Sequence, residues 1–383
     1  MTLIDRCSHE IDATQPGASQ PGSTAEIARV ALLGSGTVGL AVLRRLAEWQ
    51  GSRLGDGLRL VFAANTRLAL SDQAGLDPLH CADRLPLAGD ASRTSHRGDA
   101  LSALGSEGVR ILIDATADAD TAANHAACLS SGIHVVTACK LAAGTSLDQW
   151  RAIRAACERS GTRFGDRATV GAGLPLLRSI RELCAGGDTI HAIAGVMSGS
   201  LAWLFHNFDD SRPFSELVRE ARDRGFTEPD PREDLSGEDV RRKILILARA
   251  AGFEIDSHQA DVQSLVPPEL ANLPAAQVDE NLHFLDAPLS ALLADARREG
   301  CGLRFVARLK GGKVQVRLER LCPGDPLHGG GGTDNRVAIW SDRYRNQPLI
   351  IQGPGAGAEV TAAALLDDVL QLRALALGMP LAA

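Results

Sequence analysis

Residues 27–49 read IARVALLGSGTVGLAVLRRLAEW, and this stretch decides the fold of the first half of the chain. The apolar run ending at Leu33 predicts a buried strand, and AVLRRLAEW repeats apolar residues at helical spacing. Between them stand Gly34, Gly36 and Gly39, at the positions of a G-x-G-x-x-G turn. In such a turn Gly34 permits the sharp bend, Gly36 lets the backbone approach a pyrophosphate, and Gly39 lets the helix pack close to the strand. The helix N-terminus then faces the phosphates, so the context predicts a dinucleotide site.

The next strand, LRLVFAA over residues 58–64, bears on the choice of cofactor. An NAD-selective site usually carries Asp or Glu at the end of this strand to bind the ribose 2′-hydroxyl. The chain continues instead with Asn65, Thr66 and Arg67, and the guanidinium of Arg67 could bind a 2′-phosphate. The sequence therefore favours NADP, with NAD as the second choice. A surface arginine in a loop is the alternative interpretation of Arg67.

A further β-α-β step is predicted after a polar, Gly-rich region that should hold loops and a helix (71–108). VRILIDAT (109–116) has a buried-strand pattern, a helix is expected over 120–130, and IHVVTA (133–138) predicts another strand. Lys140 then comes just past the carboxyl end of a parallel strand, where open α/β sheets bind ligands. We expect Lys140 to contact substrate or nicotinamide, and a plain loop lysine is the alternative.

The second half of the chain has the alternating pattern of an antiparallel sheet. LRFVARL and VQVRLERL flank a two-glycine turn (310–313), which predicts a β-hairpin. A strand beginning at His191 is expected to turn at Ser-Gly-Ser (198–200), after a helix over 176–184. VAIWSDRY and QPLIIQG predict more strands. GPGAG (353–357) opens a last helix, which suggests that the chain returns to the nucleotide domain, with a plain turn as the alternative.

The densest group of ionisable residues is TEPDPREDLSGEDVRRK, residues 227–243. Its prolines hold the preceding acidic residues in extended geometry. Ser236 is expected to begin a helix, with Asp239 at capping-box spacing and Lys243 one turn further on the same face. A capping role for Asp239 and a surface ion pair for Lys243 are the alternative interpretation. Crowded carboxylates beside an ammonium favour a proton-transfer site.

Composition excludes several classes of function. The 383 residues carry a formal net charge of −7 with dispersed basic residues, which argues against nucleic-acid binding. The sequence lacks an apolar run of membrane-spanning length, and MTLIDRCSHEID is unlike a signal peptide, so we expect no membrane association and a cytoplasmic location. The eight cysteines form no CxxC pair and are expected to be reduced thiols. We expect no transition metal.

Together these motifs resemble homoserine dehydrogenase, and most closely the dehydrogenase half of bifunctional aspartokinase–homoserine dehydrogenases. The most specific parts are TVGAGLP, the SGS turn, TEPDP-x-x-DLSG-x-DV-x-RK and GAG-x-x-VTAA. The resemblance implies a homodimer that reversibly reduces L-aspartate 4-semialdehyde to L-homoserine with NAD(P)H, in threonine, isoleucine and methionine biosynthesis. Two alternatives remain open: an NADP-dependent reductase of a related amino-aldehyde, and a non-catalytic NADPH-binding regulatory protein.

The resemblance also implies residue roles. Lys243 matches the lysine that protonates the aldehyde oxygen, Asp239 its orienting partner, and Lys140 a second lysine near nicotinamide and substrate. Glu228 matches the carboxylate that holds the substrate ammonium, with Asp234 in support. The turn residues that match substrate contacts are Gly199 and Ser200. The residues expected to bind the dinucleotide are Gly34, Gly36, Thr37, Val38, Gly39, Arg67, Thr116, Lys140 and Gly355.

Three positions depart from the family pattern. Cys139 replaces an asparagine, and Phe226 replaces a tyrosine. Arg167 stands where some members have a carboxylate that binds a monovalent cation, and an arginine there opposes a cation. The backbone carbonyls that such an ion would use are those of Val170, Ala172 and Leu174.

The expected fold class is α/β: a Rossmann-type doubly wound nucleotide domain with a second α+β substrate and dimerisation domain. The predicted divisions are a disordered N-terminal segment (1–26), the nucleotide domain (27–160, completed by 350–383), and the catalytic and dimerisation domain (161–349).

Overall fold

A computed structural model of the chain describes residues 27–87, 94 and 96–379. The segment 1–26, predicted to be disordered, and the last residues of 350–383 lie outside the described residues. Within those described ranges, no helix combines the length and the apolar character needed to cross a membrane.

The first sheet is the doubly wound sheet that the glycine turn predicts. Its strands are β1 (Ala28–Leu33), β2 (Leu58–Ala64), β3 (Ala69–Ser71), β4 (Val109–Asp114), β5 (His134–Thr137) and β6 (Phe164–Gly165). They lie in the order β3-β2-β1-β4-β5-β6, and all pairs are parallel except β2 with β3. The strand order reverses between β1 and β4, so a ligand crevice is expected at their carboxyl ends.

Helices cover both faces of this sheet. They are α1 (Thr37–Glu48), α2 (Pro78–Arg84), α3 (Arg97–Leu104), α4 (Ala119–Ala123), α5 (His125–Ser130), α6 (Leu141–Gly144) and α7 (Leu147–Ser160). The single helix predicted over 120–130 is wrong, because the chain breaks at Asn124 into α4 and α5. Asp118 caps α4 by accepting a hydrogen bond from the Thr121 amide.

The second sheet is mostly antiparallel. Its strands are β7 (Ile190–Val196), β8 (Ala260–Val262), β9 (Gly302–Lys310), β10 (Lys313–Leu321), β11 (Asp334–Ser341) and β12 (Leu349–Pro354). They lie in the order β12-β11-β7-β9-β10-β8, with only β8 and β10 parallel within the described residues. The predicted hairpin is confirmed: Gly311 and Gly312 have φ of 57° and 73°, as a tight hairpin turn requires.

One face of the second sheet packs against helices in the largest apolar cluster. The helices of this region are α8 (Leu176–Ala185), α9 (Gly199–Asn207), α10 (Phe214–Asp223), α11 (Arg232–Leu235), α12 (Glu238–Ala250), α13 (Pro268–Ala271), α14 (Ala275–Asn281) and α15 (Asp286–Arg298). The SGS turn differs from expectation, because it is a strand-to-helix turn. Ser198 caps α9 through the Leu201 amide, so the residues after it are helical.

The C-terminal helix α16 (Ala358–Ala376) lies against α1 and shares its apolar cluster. The chain therefore returns to the first sheet after the second one is complete. Strand β6 extends the first sheet past residue 160, and β12 extends the second sheet past residue 350. The functional division of the chain stays a prediction.

The expectation that all cysteines are reduced is wrong for one pair. Cys301 and Cys322 form a disulfide, with Cα atoms 4.1 Å apart. They flank the open end of the β9–β10 hairpin, where Gly302 pairs with Leu321, so the strand register brings them together. Sequence spacing alone does not reveal this, because the two residues are 21 positions apart.

Candidate active site

Lys243 occupies the centre of the candidate site. Its side chain is buried, and Nζ donates hydrogen bonds to Asp239 Oδ2 at 2.7 Å and to the Met197 carbonyl at 2.8 Å. Asp239 and Lys243 are four residues apart on α12, which places them on one face. Lys140, directly after β5, brings its Nζ to 3.3 Å from Asp239 Oδ1. One carboxylate thus holds two ammonium groups, one from helix α12 and one from the end of strand β5.

The electrostatics of Asp239 follow from this arrangement. Burial raises the pKa of the Asp239 carboxyl, but the Lys243 and Lys140 ammonium groups outweigh burial and lower the pKa below its usual range. The predicted capping box is wrong. The helix begins at Glu238 after Gly237, whose φ is 77°, and the Glu238 amide donates to the Ser236 hydroxyl at 3.2 Å, without any part played by Asp239. Asp239 therefore does not cap the helix, and its carboxylate pairs with Lys140 and Lys243.

The acidic segment before α12 is fixed by Asp234. Asp234 Oδ1 accepts a hydrogen bond from Ser200 Oγ at 2.7 Å, and Oδ2 accepts one from the Glu228 amide at 2.9 Å. The Glu228 side chain remains exposed. Burial raises the pKa of Asp234, and partial burial together with Asp234 raises the pKa of Glu228. Asp230 pairs instead with Arg232, at 2.6 Å, and this pair orders the segment.

The start of α9 forms the wall beside Lys243. Ser198 Oγ lies 2.8 Å from Ser200 Oγ, which in turn donates to Asp234. A side chain at Gly199 would place its Cβ 3.2 Å from the Thr333 carbonyl oxygen. The sequence places Ser198 in the SGS turn but does not reveal that its hydroxyl caps α9 and contacts Ser200.

The glycine turn after β1 has the geometry of a phosphate cradle. Gly34 has φ of +94°, and a Cβ there would lie 2.8 Å from the Ala115 carbonyl oxygen. A Cβ at Gly39 would lie 1.9 Å from the Gly34 carbonyl oxygen, whereas a Cβ at Gly36 would meet nothing within 4 Å. Thr37 and Val38 begin α1, whose N-terminus has no side-chain cap. Open space before an uncapped helix fits a dinucleotide pyrophosphate.

Asp114, which sequence reasoning missed, organises the carboxyl ends of strands β4 and β5. It is fully buried, and its Oδ1 accepts hydrogen bonds from the Thr116 amide at 2.9 Å and Thr116 Oγ1 at 2.6 Å. Its Oδ2 lies 2.9 Å from His125 Nε2. Thr137 Oγ1 donates to Asp114 and accepts from the Cys139 amide at 2.9 Å. Asp114 therefore positions Thr116 and, through Thr137, the residues just before Lys140.

The end of β2 is a short turn without an acidic residue. Asn65 Oδ1 accepts hydrogen bonds from the Arg67 amide at 2.7 Å and the Leu68 amide at 2.8 Å. The Arg67 side chain is exposed. At the far side of the site, Gly355 follows β12, and the Asn335 side chain lies against its backbone.

The three departures from the family pattern have distinct surroundings. Burial, with Asp114 nearby, raises the pKa of the Cys139 thiol to about 11, so this thiol is protonated at neutral pH. Phe226 is exposed on one side and contacts Trp203, with ring centroids 5.5 Å apart. Arg167 pairs with Asp368 at 2.9 Å.

The backbone proposed for a monovalent cation lies in a tight turn. Gly171 and Ala172 have φ of 73° and 51°, and the Leu174 carbonyl accepts a hydrogen bond from Leu176 at 2.8 Å. Cation binding by Val170, Ala172 and Leu174 stays a prediction. Across the described parts of the chain, no three His, Cys, Asp or Glu side chains are grouped to hold a metal ion.

The fold and the site are those of a protein with a nucleotide-binding domain and a second α/β domain. The family model for homoserine dehydrogenase matches residues 175–370, and that for its NAD-binding domain matches residues 34–165. The chain belongs to the homoserine dehydrogenase family, which confirms the resemblance and the fold class expected from the sequence.

Individual relatives agree with this assignment. Homoserine dehydrogenase of Emericella nidulans is 34% identical over 361 residues, covering 89% of this chain and 97% of that protein. A chloroplastic bifunctional aspartokinase/homoserine dehydrogenase of Arabidopsis thaliana is 45% identical over 273 residues, covering 70% of this chain and 30% of that protein. The chain thus spans only a part of the bifunctional relatives. A Candida auris protein of unknown function has a crystal structure with TM-score 0.81, at 32% identity, covering 90% of this chain and 97% of that one.

Proposed function

We propose that the protein catalyses the reversible reduction of L-aspartate 4-semialdehyde to L-homoserine with NADPH, a step towards threonine, isoleucine and methionine. The observation that carries the proposal is the buried Lys243 ammonium, held by Asp239 beside Lys140 at the end of the nucleotide-binding sheet. A non-catalytic binding protein would be expected to lack the Lys243–Asp239 ion pair, and the pair is present in this structure.

Lys243 is suited to act as the general acid. A lysine ammonium has three N–H groups, and the contacts with Asp239 and Met197 use two of them. The third can donate to a substrate oxygen as negative charge develops there, and the fixed ammonium stabilises that charge. The bound dinucleotide supplies the hydride. In the reverse direction Lys243 accepts the proton of the alcohol.

The acidic segment is suited to recognise the amino group of the substrate. Asp234 uses its oxygens to hold Ser200 and the Glu228 backbone, which leaves the Glu228 carboxylate exposed towards solvent. We assign Glu228 to the substrate ammonium, with Gly199 and Ser200 lining the same wall. The Arg67 guanidinium is assigned to the 2′-phosphate of NADP.

The second sheet supports the expected homodimer. A cavity of about 460 Å³ opens on this sheet, lined by residues of β7, β9 and β11 that include Ala192, Ala194 and Trp340. Small residues and a tryptophan, bordered by Arg308, Lys310 and Arg345, form a surface that a second copy of the chain could cover. A cytoplasmic location stays a prediction from composition.

The proposal is tested by following nicotinamide absorbance when purified protein is mixed with L-homoserine and NADP⁺. 4-Hydroxybutyrate, which keeps the alcohol and carboxylate but lacks the ammonium, is the matched control substrate. We expect turnover of homoserine and much slower turnover of the control. No turnover of homoserine at high concentration contradicts the proposal, and equal turnover of both compounds would contradict the assignment of Glu228.

A further inference from the structure

Asn335 is a buried amide without hydrogen-bond partners. Its exposed fraction is 0%, and neither Oδ1 nor Nδ2 has a partner in the described part of the chain. Buried side-chain amides are nearly always hydrogen-bonded, because an unpaired one loses its contacts with water and gains nothing. A buried, unpaired amide at Asn335 therefore calls for a functional explanation.

The position of Asn335 ties it to the candidate site. It is the second residue of β11 and pairs with Gly353 of β12. The next residue, Arg336, pairs with Val196 at the end of β7. Because β7 and β11 are antiparallel, Asn335 lies on the side of this pair where Met197 follows β7. The Met197 carbonyl is the acceptor that holds the Lys243 ammonium. Asn335 therefore lies at the end of the sheet from which the Met197 carbonyl holds the proposed general acid.

The Asn335 amide also lies directly against the loop that opens α16. A Cβ built on Gly355 would come within 2.0 Å of both Asn335 Cγ and Nδ2, so only glycine fits there. Gly357, at the end of the loop, has φ of +128°, a conformation that other residues rarely adopt. The amide thus faces the peptide groups of the loop at close range without forming a hydrogen bond to them.

We propose that Asn335 is a positioning residue of the dinucleotide site, whose amide hydrogen-bonds the backbone of loop 355–357 when the dinucleotide is bound. The inference rests on the dinucleotide binding of the proposed function and not on the identity of the alcohol. The amide is unpaired in this structure, and a dinucleotide bound against the loop would bring loop peptide groups into hydrogen-bond geometry with it. Part of the free energy of dinucleotide binding then comes from hydrogen bonds between the Asn335 amide and loop 355–357, not from a contact with the dinucleotide.

This arrangement has a consequence that a purely structural asparagine would not share. Replacing Asn335 by leucine removes an unpaired polar group from the free protein while keeping a side chain branched at the same carbon. The free protein should then be as stable as the wild type or more so. The same substitution removes the hydrogen bonds of the bound state, so dinucleotide affinity should fall.

The experiment measures the thermal unfolding midpoint without ligand and the dissociation constant for NADPH by fluorescence titration. It compares the wild type, Asn335→Leu and Asn335→Ala with the control Asn281→Leu, whose amide is hydrogen-bonded to the Gln277 carbonyl at the end of α14. We expect Asn335→Leu to keep or raise the midpoint and to weaken NADPH binding about tenfold, the order of one hydrogen bond. The control should bind NADPH as the wild type does.

An NADPH dissociation constant within about twofold of the wild-type value overturns the proposal. A midpoint lowered by several degrees in the leucine variant would mean that leucine is not accommodated at this position. If leucine is not accommodated, Asn335→Ala decides through its dissociation constant by the same criterion. The titration contains no homoserine, so NADPH binding without homoserine turnover would contradict only the proposed function, whereas a wild type that does not bind NADPH would overturn both.

Discussion

Asp239 Oδ1 lies 3.3 Å from Lys140 Nζ, although Asp239 lies on helix α12 and Lys140 follows strand β5 of the first sheet, far away in sequence. The other oxygen of the same carboxylate binds Lys243. The contact therefore fixes the distance between a lysine at the end of the nucleotide-binding sheet and a lysine on α12. α6 and α12 pack closely enough that a Cβ on Gly144 would lie 2.9 Å from the Arg242 carbonyl oxygen, which holds this geometry.

Loss of the Asp239 charge should impair catalysis more than folding. Asp239→Asn keeps the size of the side chain but leaves two ammonium groups near each other without the carboxylate between them. We expect turnover to fall by a factor on the order of 10 or more, with a changed pH–rate profile. Asp261→Asn is the matched control, since that exposed carboxylate on β8 pairs with Arg317 of β10. Equal activity of the two variants would count against the bridging role.

Two glycines of the first turn should respond differently to alanine. At Gly36 a methyl group meets no protein atom, so Gly36→Ala should leave the unfolding midpoint unchanged while weakening dinucleotide binding by a factor on the order of 10 or more. At Gly39 a methyl group collides with the Gly34 carbonyl, so Gly39→Ala should lower the midpoint by several degrees. Unimpaired NADP⁺ binding by Gly36→Ala would show that the open space is not the phosphate site.

The parts that the sequence predicted are those set by local periodicity. The glycine turn after β1 and the hairpin at Gly311 and Gly312 each rest on a few adjacent residues, and both are confirmed. The helical start after Ser198 depends on side-chain capping, which periodicity does not register. The break at Asn124 interrupts a continuous helical pattern, and periodicity does not mark it either.

The parts that were missed depend on contacts between distant segments. The Cys301–Cys322 bond follows from strand register. Asp114 acts through His125 and Thr137, which come from a following helix and the neighbouring strand. An aspartate ending an apolar strand gives no sign of such partners until the strands are assembled.

Arg67 should determine cofactor preference. Arg67→Glu places a carboxylate at the end of β2, where it can bind the ribose 2′-hydroxyl of NAD and repel the 2′-phosphate of NADP. We expect the ratio of kcat/KM for NADP⁺ to that for NAD⁺ to fall by a factor on the order of 10 or more. Arg53→Glu, another exposed arginine, is the control for the change in net charge. If both variants keep the wild-type ratio of kcat/KM values, Arg67 does not bind the 2′-phosphate of NADP.

Asp368 should make stability depend on pH. Burial and the neighbouring Asp166 raise the pKa of Asp368 from its ordinary 3.8 to about 7, against the opposing effect of Arg167 and Arg181. Between those two values the folded protein binds more protons than the unfolded chain, so this group makes stability fall as pH rises through that window. Asp368→Asn removes the dependence.

The measurement is the unfolding midpoint at several pH values. The midpoint of the wild type minus that of Asp368→Asn should be larger at about pH 5 than at about pH 8, by a few degrees. Asp367→Asn, an exposed neighbour on α16, is the control and should give a difference that does not change in this way. A constant difference for Asp368→Asn would mean that the carboxyl is already ionised at low pH.

The most direct test of the account is the steady-state oxidation of L-homoserine with NADP⁺ by Lys243→Ala. Lys313→Ala, which removes an exposed lysine at the hairpin turn, is the matched control. We expect kcat of Lys243→Ala to fall by a factor on the order of 10² or more, while NADPH binding and the activity of the control stay near wild type. A Lys243→Ala protein that oxidises homoserine at nearly the wild-type rate would show that Lys243 is not the general acid.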